Sequence, residues 1–242
     1  MKPLDATVAE STIAELDVKR ETLWALLYFT LYLGYLFLSL ENEFLHWFSL
    51  VTLPVTLIFL FQRWKLGAWN LRAALRSVGL KRGNMTTGLW WAVAVGLALS
   101  ELQLVLSRNS GEILNLLSSG KAFYLFPLSV VLMLFTAGTT EEFFFRGVLQ
   151  TRLQMRLRSN IAAIAVTSVL FGLYHLPYAY LNPRWPSHGN WPEALGAAFG
   201  QGVPMGLILG FIYARTKNNL VACALVHALI NSFPAMLFIK IG

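Results

Sequence analysis

The sequence predicts an all-α protein, a polytopic transmembrane helical bundle of about seven spans with a cytoplasmic N-terminus. Three observations predict it. Hydrophobic residues make up 56% of the 242 and charged residues only 13%, too few charges to clothe a water-soluble domain of that length, and mean hydropathy is +0.58. Apolar runs of about 20 residues recur, the length at which a helix crosses hydrocarbon while satisfying its own backbone. Strand-like alternation is absent over those runs, which argues against a barrel.

The elements follow in order. Residues 1–22 are polar and mixed in charge, a cytoplasmic N-terminal segment ahead of the first run, near 23–40. No small-residue cleavage site follows that run, so it reads as an anchor and not a removed leader. Further runs lie near 44–61, 87–107, 123–150, 161–181, 194–214 and 220–239. Between the second and third, "QRWKLGAWNLRAALRSVGLKRGN" mixes Trp and Leu with basic residues, a pattern suited to a helix lying in the inner interface. The sixth run carries Gly202, Gly206 and Gly210 at four-residue spacing, with Gly196 and Gly200 beside them; small residues on one face let helices approach closely. No linker or repeat divides the chain, so 23–242 reads as a single integral membrane domain.

The net charge of +7 sorts by side. With the N-terminus inside, Lys2, Lys19, Arg20, Arg63, Lys65, Arg72, Arg76, Lys81, Arg82, Arg152, Arg156, Arg158, Arg215 and Lys217 fall on the inner side. Only Arg108, Lys121, Arg184 and Lys240 fall outside, and the first outer loop, Glu41-Asn42-Glu43, is acidic. The positive-inside rule therefore accounts for the basic balance, and no nucleic-acid partner is expected. The lone Cys223 excludes an intramolecular disulfide.

Ionisable groups inside the spans carry the functional signal. A charge at the bilayer centre costs about 2.5–3.5 kcal/mol on insertion scales, yet "TTEEFFFRG" places Glu141, Glu142 and Arg146 in the fourth run. On an α-helix Arg146 lies one turn from Glu142 and can pair with it, while Glu141 points about 100° away. An ordering ion pair accounts for Glu142 and Arg146 but not for Glu141. A second carboxylate retained beside a paired one, against repulsion and desolvation, is a candidate general base. Two other spans supply partners: Phe171 and His175 share a face in the fifth, and His227 and Asn231 share one in the seventh. At the α-helical rise, Glu141 lies roughly 13 Å from the inner side, His227 roughly 10 Å and His175 roughly 20 Å. His175 requires the fifth helix to continue past Pro177.

Glu141-Glu142-x-x-x-Arg146, Phe171-x-x-x-His175 and His227-x-x-x-Asn231 together resemble the three ordered motifs of the CPBP family (CAAX protease and bacteriocin-processing, or Abi), intramembrane endopeptidases related to the type II CAAX prenyl protease. The similarity covers a protease-like core at about 123–239. It implies hydrolysis of a peptide bond in a membrane-associated or lipid-modified protein or peptide at a bacterial or archaeal cell membrane. By resemblance, Glu141 and His175 activate water, His227 and Asn231 stabilise the oxyanion, and Glu142, Arg146 and Phe171 support the site. Carboxylate, histidine and amide are the group types such a reaction uses.

Three other readings stand beside it. Glu141, His175 and His227 could hold a catalytic zinc or other divalent metal with water in the fourth position. No His-Glu-x-x-His pair is present and an amide follows His227 at helical spacing, so a metal-independent mechanism without cofactor is preferred. Cys223, His227 and Asn231 at four-residue intervals suggest a thiol protease, but that assignment leaves both glutamates and His175 unused. A membrane binding or immunity factor of the same fold, with no proteolysis, is the alternative of a different class. Glu101, near the outer end of the third run, has no partner in the pattern, and His46 and His188 read as ordinary interfacial histidines.

Overall fold

The apolar runs become helices, and the computed structural model describes residues 6–38, 42–66, 71–80, 85–107 and 109–239. In chain order these are α1 (Ala6–Leu38), α2 (43–66), α3 (Leu71–Ser77), α4 (Met85–Leu106), α5 (Ser110–Ser118), α6 (Ala122–Leu157), α7 (Asn160–Leu181), α8 (Trp191–Arg215) and α9 (Leu220–Met236). No strand occurs among the described residues. Five stretches are long and apolar enough to cross a membrane: Val18–Leu38, Gly88–Val105, Ala122–Leu157, Asn160–Leu181 and Trp191–Arg215. Phe44–Leu60 and Leu220–Met236 are apolar but shorter. Lys2, Glu41, Lys81, Arg82, Arg108 and Lys240 lie outside the described residues, as do the side chains of Glu43, Arg63 and Lys65.

Several helices are not uniform. α2 contains a π-helical stretch at Phe48–Thr52, α6 contains two, Leu134–Gly138 and Phe143–Gln150, and α8 contains one at Ala198–Gly202. Pro54 and Pro204 each stand two residues after a π stretch. A proline ring clashes with the carbonyl four residues back and offers no N–H to it, so a wider turn at that point absorbs the fault. The two π stretches in α6 have no such proline beside them. They flank Thr139–Glu142, a single α turn.

The chain forms two compact units, Met1–Asn42 with Val148–Gly210, and Glu43–Gly147 with Phe211–Gly242. In the first, α1 is tied to α6 near its middle: Glu21 Oε2 lies 3.4 Å from Arg152 Nε, and Thr22 Oγ1 lies 3.4 Å from the Arg152 carbonyl. Further along α1, Tyr32 stacks on Tyr174 of α7 at 6.3 Å between ring centres. The glycine spacing of the sixth run is used for packing, as expected. A Cβ on Gly202 would come within 2.9 Å of the Gly172 Cα, and one on Gly206 within 2.8 Å of the Ser168 Cα. Gly196 and Gly200 take no part, with nothing within 4 Å of an added Cβ.

In the second unit α9 packs on α4 and α6. Asn219 caps α9, its Oδ1 accepting from the backbone N–H groups of Val221 and Ala222 at 3.1 and 3.2 Å, which satisfies donors a helix start leaves open. Ser100 on α4 lies 2.7 Å from the Leu229 carbonyl. At Gly138 the two backbones meet: an added Cβ would stand 2.6 Å from the Ala224 carbonyl oxygen. That approach sets α9 beside the turn carrying both glutamates. An apolar cluster of Ile113, Ala122, Leu125 and Met236, with Phe233 against Phe126 at 4.9 Å, closes the same unit beyond them.

Candidate active site

Glu141 and Glu142 sit on the single α turn between the two π stretches of α6, and π turns recur at functional positions because they displace side chains from the regular helical face. The expected one-turn pairing survives this: Arg146 Nε lies 3.0 Å from Glu142 Oε2, with both side chains 0% exposed. Glu141 and Glu142 share an α turn, so their offset of about 100° stands. The depth of Glu141, counted back from Gln150 at the α-helical rise, does not carry across Phe143–Gln150, where the hydrogen-bond pattern is π-helical.

Glu142 does more than neutralise Arg146. From α9, Cys223 Sγ donates to Glu142 Oε2 at 2.9 Å and His227 Nδ1 donates to Glu142 Oε1 at 2.8 Å. Both carboxylate oxygens are therefore engaged, as a buried charge requires. Helical spacing pairs Glu142 with Arg146 and leaves His227 as a partner for Glu141; in the structure His227 stands between the two carboxylates. Its other ring nitrogen, Nε2, lies 3.9 Å from Glu141 Oε2. A carboxylate on Nδ1 fixes the tautomer and the ring plane, so Glu142 aims Nε2 toward Glu141.

Asn231 lies one turn beyond His227 on α9 and is half-buried. Among the described residues no hydrogen bond engages its carboxamide. Cys223 is fully buried with its thiol on Glu142, a place that makes it a donor to the cluster.

His175 and Phe171 belong to the first unit, on α7. The helix runs through Pro177 to Leu181, the continuation that the placement of His175 required. His175 Nδ1 donates to the Phe171 carbonyl at 2.8 Å. That bond assigns the proton of a neutral ring to Nδ1 and leaves Nε2 as the basic nitrogen. The Phe171 and Tyr174 rings pack edge-on against the imidazole at 4.6 and 5.0 Å. The pair predicted on one face is thus a unit in which Phe171 orients His175.

Among the described residues no group of three or more His, Cys, Asp or Glu side chains converges as a metal-ligand set. Glu141 and His227 would supply two ligands of the zinc set considered above. Glu101 is exposed on α4, and His188 is exposed in the loop before α8. His46 departs from expectation: its Nε2 lies 2.8 Å from Oγ1 of Thr140, the residue before Glu141. No sequence spacing signals a contact across 94 positions.

Residues 123–233 match the family described as Type II CAAX prenyl endopeptidase Rce1-like. The match bears out the family read from the three motifs, all of which lie inside it. No curated protein and no solved structure matches the chain.

Proposed function

Starting from a type II CAAX prenyl endopeptidase-like core at 123–233, we propose that this membrane protein is an intramembrane endopeptidase in which Glu141 and His175 activate water and His227 and Asn231 stabilise the oxyanion. One observation carries the reading: His227 is held by Glu142 at 2.8 Å with its second nitrogen 3.9 Å from Glu141. That arrangement supplies a carboxylate base and an oriented imidazole side by side, with the Asn231 amide one turn away.

Glu141 takes a proton from water as the oxygen attacks the peptide carbonyl carbon. His175 joins this step by the order of the motifs, its Nε2 left basic by the Nδ1 bond to Phe171. The tetrahedral oxygen then accepts from Asn231 Nδ2 and from His227 Nε2. With Nδ1–H already donated, His227 offers Nε2–H when it carries a second proton, and the Glu142 carboxylate is the counter-ion at its back. Collapse of the intermediate returns the proton from Glu141 to the departing amine. Water is the nucleophile and no metal is needed. If a metal is used, Glu141, His175 and His227 would hold it, and it would supply Lewis acidity. The substrate is a membrane-associated or lipid-modified protein or peptide.

Purified protein in detergent, offered a prenylated CAAX peptide, tests the reading. Glu141→Gln should abolish cleavage in a protein that still folds, Cys223→Ser should retain it, and strict chelation should leave it intact. A Glu141→Gln protein as active as wild type overturns the assignment. Loss of activity on chelation, restored by zinc, replaces the metal-free mechanism. A biological effect that persists in Glu141→Gln cells favours the non-proteolytic binding role.

A further inference from the structure

We propose that His46 is a positioning residue for Glu141, acting through Thr140; this rests on the endopeptidase reading above. His46 lies on α2, outside the segment 123–233 that carries the family signature, and its Nε2 reaches Thr140 Oγ1 at 2.8 Å. Protons settle the direction of that bond. The Thr140 hydroxyl also makes a short contact with the Thr136 carbonyl and a longer one, 3.4 Å, with that of Ala137. A carbonyl has no proton to give, so the single hydroxyl hydrogen goes to Thr136. Thr140 Oγ1 must then accept from His46, which makes His46 the Nε2–H donor.

The place of this bond gives it consequence. Thr139–Glu142 is one α turn, with π geometry on either side at Leu134–Gly138 and Phe143–Gln150. Thr139 Oγ1 meanwhile bonds the Leu134 carbonyl five residues back, at 2.6 Å. At two successive changes of backbone hydrogen-bond pattern, the local ladder fixes the rotation of the turn less firmly than in a regular helix. A strut from another helix fixes it instead, since the π stretch Phe48–Thr52 that follows His46 packs against this turn. Thr140 and Glu141 are neighbours, so the rotation held by His46 is the rotation that points the Glu141 carboxylate. Small misplacement of a reacting group costs large factors in rate.

The test compares wild type, His46→Ala, His46→Gln, Thr140→Val and the Ala/Val double variant on a prenylated CAAX peptide, with Glu141→Gln as the inactive reference. His46→Ala and Thr140→Val should each lower kcat about tenfold with KM near wild type, and the double variant should fall no further than either single one. Gln, which keeps an N–H at a similar reach, should restore most of kcat. Nitrogen-15 NMR of the histidine rings should report His46 as the Nε2–H form, with its signals moved in Thr140→Val. Wild-type kcat in His46→Ala, losses that multiply in the double variant, or His46 found as the Nδ1–H form each overturns the proposal. If wild type cleaves no more than Glu141→Gln, the endopeptidase reading itself fails, while the NMR result still decides whether the strut exists.

Discussion

Two carboxylate–arginine pairs in this protein use the same chemistry under different conditions. Glu142 and Arg146 are both fully buried, 3.0 Å apart on one helix, with Cys223 and His227 also on the carboxylate. Glu21 and Arg152 join two helices at 3.4 Å, and the Glu21 side chain keeps 29% of its surface exposed. In the first pair neither group can turn to water, so each charge depends on its protein partners. In the second the carboxylate retains a route to solvent, and the pair serves as a tie between α1 and α6. The difference teaches how the two arginines are used: the partner of one also aims a histidine, and the partner of the other joins two helices.

Glu142→Gln should separate the two pairs most sharply. It leaves the Arg146 charge buried without its counter-ion and releases His227, at a cost of about 3–5 kcal/mol. Thermal unfolding in detergent should show a large loss of stability, together with lost cleavage. Stability equal to that of an Arg152 variant would erase the distinction.

Gly138→Val comes next. Its side chain meets the Ala224 carbonyl oxygen, 2.6 Å from an ideal Cβ, and overpacking of this kind costs about 1–3 kcal/mol. Because the contact sets α9 against the glutamate turn, cleavage should fall with stability. Unchanged melting would mean that the close approach does not position His227.

Arg152→Met should have the smallest effect: the buried guanidinium, 2% exposed, is replaced by an apolar chain that fills much of its space, and Glu21, 29% exposed, can hydrate once its partner is gone. Cleavage should persist at near wild-type rate. A loss as deep as that of Glu142→Gln would show that the tie between α1 and α6 is part of the working site.

The family segment was legible because its three motifs are local patterns: each pair four residues apart lies on one helix, and helical spacing alone relates its members. The Glu142–Arg146 pair, the shared face of Phe171 and His175 and the glycine face of α8 followed from that; the bond of His175 to the Phe171 carbonyl came from the structure. The π stretches were not legible. No residue type marks those of α6, and the α-based depth of Glu141, counted from Gln150, fails where the backbone hydrogen bonds change register. His46 was missed because its partner, Thr140, is 94 residues away.

By itself, then, the sequence determined that the chain is helical and apolar enough for a membrane, which residues within it are costly enough to need a reason, and which of these share a helix. Composition and period suffice for that, since both are properties of single segments. Only the tertiary structure decided that Glu142 grips His227 as well as Arg146, that Cys223 is a donor to the cluster, and that a histidine from α2 reaches the turn beside Glu141. Those assignments depend on how closely two helices approach. That distance is set by a glycine opposite a carbonyl, and no periodicity along one chain segment encodes which partner it will meet.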